Sequence, residues 1–208
     1  MRFMIVLYAT CLTITVFGQQ KYNCEFHETA SLKLSDSILQ VLQQKIQEKG
    51  IPASFAEQMI GQISSQEVLV TFRRIVHAGP DSTIILLKQE ESEENPYRIN
   101  MRDKKLLFYK SMVFEYDSLS KQFNLADSNI LPKRFKETSD RKVIMGYSCT
   151  AFTGIDSSTI IWVASQLPSY INPGVHTGGV KGAVLAFETK DKSGNTVISM
   201  IDKFTPDD

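Results

Sequence analysis

Residues 67–88 read EVLVTFRRIVHAGPDSTIILLK. Val68, Val70 and Phe72 recur at every second position, which is the period of a β-strand with one buried face. Residues 78–82 contain Gly79 and Pro80, which favour a turn, and residues 83–88 form a second apolar run. This stretch therefore predicts two strands joined by a short turn.

The same pattern continues toward the C-terminus. Short apolar or alternating runs separated by turn residues predict six further strands, at 105–110, 112–117, 142–152, 159–164, 182–189 and 195–204. Short connections between strands favour antiparallel pairing. We therefore predict a β-rich α+β fold, with a curled antiparallel sheet or half-barrel of about eight strands within residues 67–204.

Toward the N-terminus the period changes to that of helices. Apolar residues recur at four-residue spacing along a first helix that Gly50 and Pro52 end, and a second helix begins near Ser54. The apolar faces of the two helices comprise Leu34, Ile38, Leu42 and Ile46, then Phe55, Met59, Ile60 and Ile63. Residues 35–64 are therefore predicted to form a helical hairpin packed on the sheet.

The first 18 residues have the organisation of a secretory signal peptide. Arg2 provides a positive start, residues 3–17 carry no charge, and Val16 to Gly18 suit a signal-peptidase site. The apolar run is shorter than the roughly 20 residues of a transmembrane helix. We therefore expect an exported protein, periplasmic or secreted, whose mature part is one domain spanning residues 19–208.

Composition excludes some classes of function. The 208 residues include 23 basic and 23 acidic side chains, so nothing favours a nucleic-acid partner. His27, His77 and His176 lack the spacing of a metal site, and no catalytic motif is present, so we predict no metal, no cofactor and no catalytic residue. Cys24 and Cys149 form either a disulfide or two buried thiols, and the sequence leaves both open.

Three segments resemble a known family. Residues 179–185 (GVKGAVL) are similar to the Gly-Leu-Pro-Gly-Leu-Ile-Leu signature of the GLPGLI family, with Lys181 in place of the central proline. Residues 142–149 (KVIMGYSC) resemble its Lys-x-Ile-x-Gly-Tyr-x-Cys segment. Trp162 followed by Leu167-Pro168 lies between them, as in that family.

The resemblance implies a divergent relative of exported proteins from Bacteroidetes-type bacteria, with no established activity. Its strand-rich pattern is similar to the half-barrels of periplasmic lipoprotein carriers. We expect structural roles for the motif residues: tight backbone geometry at Gly146, Gly179 and Gly182, core aromatics at Tyr147 and Trp162, and a strand end at Pro168. Cys149 also belongs to the motif, and both alternatives for it stay open.

Two classes of function follow. The favoured hypothesis is a non-enzymatic carrier or binding protein for a lipid or other apolar ligand in the cell envelope. Its predicted cavity lining comprises Phe55, Met59, Phe72, Phe114 and Trp162. The alternatives are an envelope hydrolase whose site is assembled from distant residues, and an envelope protein that holds a protein partner through a sheet edge.

Overall fold

The computed structural model describes residues 20–33, 36–64, 68–90, 103–109, 112–127, 133–175 and 177–207. The predicted signal peptide and His176 lie outside these ranges. The two helices are α1 (Asp36–Glu48) and α2 (Ala53–Ser64). The strands are β1 (Lys21–Leu32), β2 (Val68–Ala78), β3 (Ser82–Gln89), β4 (Lys104–Tyr109), β5 (Met112–Asp117), β6 (Gln122–Asp127), β7 (Lys133–Ile144), β8 (Tyr147–Gly154), β9 (Thr159–Ala164), β10 (Thr177–Gly178), β11 (Ala183–Lys190) and β12 (Thr196–Asp207).

The described strands form one sheet with the order β10-β7-β8-β9-β11-β12-β1-β2-β3-β4-β5-β6. Neighbours are antiparallel, except that the two-residue β10 runs parallel to β7. The prediction of a β-rich, curled and largely antiparallel sheet is confirmed, but about eight strands was too low, because the sheet has 12.

One error in strand number arises at a tight turn. We predicted a single strand over 142–152, whereas β7 ends at Ile144 and β8 begins at Tyr147. Met145 and Gly146 between them have φ values of 50° and 82°. Positive φ at both central residues is typical of a type I′ hairpin turn, which Gly146 adopts without steric cost.

Strand order and chain length together require the sheet to curl strongly. Seven strand spacings separate β7 from β3 in the sheet, or about 34 Å along a flat surface. Gly174 nevertheless lies against Ile85 of β3, and Thr177 pairs with Lys133 of β7. The three residues from Gly174 to Thr177 span at most about 11 Å, so the curl brings these distant strands together.

The two predicted helices are present, while their packing on the sheet stays a prediction. Gly50, with φ of 74°, follows α1, and the two helices contact each other. Among the α2 side chains that the structure describes, Ala56 is buried, whereas Phe55 beside it is 54% exposed. Neither described helix is long and apolar enough to cross a membrane.

The main core lies where the curled sheet encloses apolar side chains. We call the face that carries Phe26 on β1, Val76 on β2 and Ile85 on β3 the inner face, because strand register places these residues on one side. All three are at most 1% exposed. Leu185 of β11 and Ile171, which follows β9, belong to the same core cluster.

Candidate functional site

Residues 165–175 cross the inner face after β9, and we call this segment the strap. Ile171 anchors it, because its side chain is fully buried and its carbonyl accepts a 3.0 Å hydrogen bond from the Val184 backbone N–H. Gly174, with φ of 97°, lies so close to the sheet that an added Cβ would be 3.1 Å from Ile85 Cδ1 and 3.4 Å from Phe108 Cζ. Only glycine suits this conformation and this close approach.

A buried ion pair joins the strap to the sheet. Arg74 Nε and Nη2 donate to Glu28 Oε2 at 2.8 Å and 2.6 Å, and Arg74 Nη1 donates to the Pro173 carbonyl at 2.5 Å. Glu28 is 5% exposed, and the Arg74 guanidinium lies 5.6 Å from the centre of the Phe187 ring. Arg74 thus neutralises a buried carboxylate and holds the strap carbonyl with the same planar group.

A cleft of about 400 Å³ opens between the strap, the turn from β2 to β3, and the end of β4. Three aromatic rings supply much of its apolar wall, and Asp81 contributes an exposed carboxylate. The lining residues are Gly79, Pro80, Asp81, Ser82, Thr83, Phe108, Tyr109, Tyr170, Asn172, Gly174, Val175 and Thr177.

Several polar groups of the cleft are already engaged within the protein. The Asn172 amide donates to the Val175 carbonyl at 2.6 Å, and its oxygen accepts from the N–H groups of Gly174 and Val175 at 2.9 Å and 2.7 Å. The Thr83 hydroxyl donates to the Tyr170 carbonyl at 3.4 Å. These groups are therefore less available to a ligand, and the cleft offers the three rings on one side and the exposed Asp81 carboxylate on the other.

Tyr170 connects the cleft to the start of the sheet. Its hydroxyl donates to the Gln20 carbonyl at 2.5 Å, and its ring lies 6.1 Å from that of Tyr22 at an angle of 39°. Burial, followed by the neighbouring Tyr22, raises the pKa of Tyr170, so the phenol stays neutral and remains a donor at physiological pH.

The five residues that the sequence proposed as a cavity lining are not among those that line this cleft. Phe72 belongs to a small buried cluster on the inner face, while Trp162 packs against the main core. Phe114 is opposite Leu107, which is opposite Ile84, and this register places it on the outer face. Phe55 is more than half exposed and Met59 half-buried on α2.

Sequence reasoning missed the residues that do form the cleft. A local signal existed in residues 172–174 (Asn-Pro-Gly), because these residue types favour a turn. This local signal does not show which part of the sheet the turn contacts. The contact of Gly174 with β3 and β4 depends on the curl of the sheet, which no local pattern specifies.

The motif residues lie around the base of the strap and the neighbouring core. The Tyr147 ring meets Phe204 edge-on at 6.0 Å, and the Lys142 ammonium lies 4.1 Å above the Trp162 ring. Pro168 belongs to the strap, where its carbonyl accepts from the Ile171 N–H at 3.2 Å. Tyr147 and Trp162 pack against the main core, as expected, whereas Pro168 does not end a strand, because β9 ends earlier, at Ala164. Membership of the GLPGLI family stays a prediction.

The described histidines do not form a catalytic group. His27 pairs with Glu90 at 3.5 Å, and His77 contacts Asn23 Oδ1 at 2.5 Å. Both lie on the outer face, away from the cleft, because each alternates with the buried residues of its strand. Within the described ranges, no three His, Cys, Asp or Glu side chains are grouped to hold a metal ion.

Both described cysteines are buried free thiols, which is one of the two alternatives left open by the sequence. Burial raises the pKa of Cys24 from its ordinary 9.0 to about 12. Burial also raises the pKa of Cys149, although the Ile144 backbone hydrogen bond and the Lys142 charge oppose this. The Cys149 thiol donates to the Tyr147 carbonyl at 3.5 Å.

We expect Cys24 to resist alkylation by iodoacetamide in the folded protein, because only the thiolate reacts. Its labelling rate, followed by peptide mass spectrometry, should rise about tenfold per pH unit above pH 9. Since the folded pKa near 12 exceeds the unfolded value of 9.0, the unfolded state loses its proton first, and stability should fall as pH rises through this interval. Rapid labelling at pH 8 without denaturant would contradict the burial.

Comparison with known proteins identifies no family. No protein-family model and no curated protein match the chain. Two structures titled PNGF-II, in space groups C2 and P21, are similar over 91% of this chain, with 11% and 13% identity and TM-scores of 0.46 and 0.41. This chain spans only 28% and 29% of those chains.

The LolA superfamily protein NE2245 from Nitrosomonas europaea is similar over 92% of this chain and 87% of its own, with 11% identity and a TM-score of 0.36. At such scores and identities, these similarities establish neither a family nor a function. The cleft must therefore be interpreted from its own residues.

Proposed function

We propose that this is a non-enzymatic binding or carrier protein that holds an apolar ligand, such as a lipid chain, in the cleft beneath the strap. The observation that carries the proposal is the cleft itself, which combines about 400 Å³ of volume with the rings of Phe108, Tyr109 and Tyr170. This volume is within the usual range of small-molecule sites, about 300–1,000 Å³. The signal-like N-terminus supports a role in the cell envelope.

The state of the polar groups supports an apolar ligand over a sugar or a nucleotide. A highly polar ligand needs several unpaired donors and acceptors to replace its lost water. In this cleft the Asn172 amide, the Thr83 hydroxyl and the Tyr170 hydroxyl are all hydrogen-bonded to the protein's own carbonyls. An apolar chain that lies along the aromatic wall, away from the exposed Asp81 carboxylate, displaces water at little cost.

Binding of the uncharged fluorophore N-phenyl-1-naphthylamine tests this proposal. Val175 lines the cleft and is half-buried, so Val175→Lys places a charge against the bound apolar ligand. We expect affinity to fall at least about tenfold, which is about 1.4 kcal/mol. Fluorescence titration measures the dissociation constant.

Val143→Lys is the matched control, because Val143 is 71% exposed on β7 and does not line the cleft. It should bind the fluorophore as the parent protein does. Absence of binding by the parent, or equal affinity of both variants and the parent, would refute an apolar site in this cleft. Where the parent binds the fluorophore and Val175→Lys does not, native mass spectrometry of protein purified without detergent from its own host would identify the natural ligand as a lipid adduct.

A further inference from the structure

The two edges of the described sheet differ in strand pairing. At one end β10 pairs with two residues of β7, whereas at the other end no described strand pairs with β6 beyond β5. All β6 side chains except the half-buried Phe123 are exposed, including Leu125 at 54%. An edge strand presents backbone N–H and C=O groups that a further strand can pair.

The hairpin holds this edge in an extended conformation. Asp117 Oδ1 accepts from the Leu119 N–H at 2.9 Å, Ser120 Oγ donates to Asp117 Oδ2 at 2.8 Å, and Lys121 has a φ of 55°. These bonds order the turn between β5 and β6. The edge sequence QFNLAD contains neither lysine nor proline, and its bulge at Ala126 and its charge at Asp127 both lie at the C-terminal end of the strand, beyond Leu125.

We propose that two copies of this chain associate through β6, pairing antiparallel about a two-fold axis at Asn124. In a two-fold interface each contact occurs twice, so the strand must be complementary to itself. With the axis at Asn124, Phe123 is opposite Leu125 of the second copy, and Leu125 is opposite its Phe123. Both apolar side chains therefore gain an apolar partner on the same face.

Other axes within the strand match fewer apolar pairs. An axis at Phe123 pairs Phe123 with itself but places Leu125 opposite Lys121. An axis at Leu125 pairs Leu125 with itself but places Phe123 opposite Asp127. Since cross-strand pairs of apolar residues favour one register over another, Asn124 is the position that the sequence selects.

Next to Phe123 and Leu125, the same face of the sheet carries further aromatic side chains. Leu125 is opposite Phe114 of β5, and Phe123 is opposite Tyr116, whose ring it meets edge-on at 5.3 Å. Lys105 Nζ lies 5.2 Å and 5.5 Å from the centres of the Tyr116 and Phe123 rings. Pairing at Asn124 would join this row of side chains to its symmetry copy and cover the exposed side of Leu125.

Cysteine cross-linking tests both the contact and its register. Cys11, in the predicted signal peptide, is first replaced by serine so that it cannot form a disulfide of its own. In the full-length Cys11→Ser protein, Asn124→Cys should form a disulfide-linked dimer rapidly under mild oxidation, because the paired residues are about 5 Å apart. Leu119→Cys is the matched control: Leu119 is 91% exposed on the same hairpin, but it lies in the turn before β6, so its two copies would be far beyond the roughly 7 Å between Cα atoms that a disulfide can bridge. Equal yields, or no linked dimer from Asn124→Cys, would overturn the proposal.

Sedimentation of two lysine variants tests the same interface without an oxidant. Leu125→Lys removes both apolar pairs and places a charge on the exposed edge, so it should shift sedimentation toward the monomer. Leu119→Lys adds the same charge outside the pairing and should sediment as the parent does. Both sites are exposed, and unchanged circular dichroism should show that both variants fold. A parent protein that stays monomeric at all concentrations, or equal behaviour of the variants, contradicts the pairing.

Discussion

Replacing Arg74 with methionine is expected to lower the free energy of unfolding by about 3–5 kcal/mol. Methionine retains an apolar stem but removes the charge that neutralises Glu28, whose side chain is 6% exposed. It also removes the donor to the Pro173 carbonyl. The dominant cost is the carboxylate that remains buried without its partner.

Urea unfolding of the parent and the variant measures this difference. Arg73→Met is the control, because Arg73 is the neighbouring residue on β2 but is 48% exposed and pairs with Glu25 and Glu90 at the surface. Exposed pairs contribute roughly 0–1 kcal/mol, so Arg73→Met should have a small effect. Similar losses in the two variants would show that Glu28 is not buried as described.

A double variant separates the ion pair from the strap contact. Glu28→Leu with Arg74→Met replaces both charges by apolar groups, which is often neutral or stabilising for a buried pair. Only the lost bond to the Pro173 carbonyl remains, and a hydrogen bond contributes about 1 kcal/mol. The double variant should therefore be more stable than Arg74→Met alone. Hydrogen exchange at Val184, which donates to the strap carbonyl of Ile171, should still be accelerated by the loosened strap.

The sequence could predict the elements whose local pattern agrees with their tertiary environment. Val70, Phe72 and Val76 lie on one side of β2 by the two-residue period of a strand, and all three are buried on the inner face. β1 has the same alternation, but it was missed because Glu28 interrupts the apolar positions. Glu28 is tolerated there only because Arg74, 46 residues away, neutralises it.

The cleft was beyond prediction for a different reason. Its walls come from the turn between β2 and β3, from β4 and from the strap, which are distant in sequence and meet only through the curl of the sheet. Periodicity predicts which side of a strand is buried, but not which distant segment covers it. The aromatic residues proposed from sequence therefore lie in separate clusters or on opposite faces, while Tyr170 was overlooked.

The second large effect is expected at Gly182, one of the glycines in the family-like motif. Gly182 has a φ of 118°, which L-residues rarely adopt. An added Cβ would lie 2.5 Å from the Ala164 carbonyl oxygen and 2.8 Å from Ser165 Cα. Both are backbone atoms, so no side-chain rotation can relieve the overlap.

Gly182→Ala should therefore destabilise the protein by about 4 kcal/mol, the sum of backbone strain and overpacking. Gly179→Ala is the matched control in the same motif, because its φ is 79° but nothing lies within 4 Å of the added Cβ. Strain alone predicts a loss of about 1–2 kcal/mol there. Thermal and urea unfolding of the two variants measure the difference, and equal losses would mean that the contact with Ala164 is absent.

The Gly182→Ala substitution is also expected to affect ligand binding, because Gly182 lies beside the base of the strap. Ala183 pairs with Ala164, so the overlap falls where the chain leaves β9 for the strap and enters β11 after it. Moving these backbones apart would displace the base of the strap, and with it Tyr170 and Val175 in the cleft. Gly182→Ala should therefore weaken fluorophore binding under conditions where it remains folded, whereas Gly179→Ala should leave the affinity close to that of the parent.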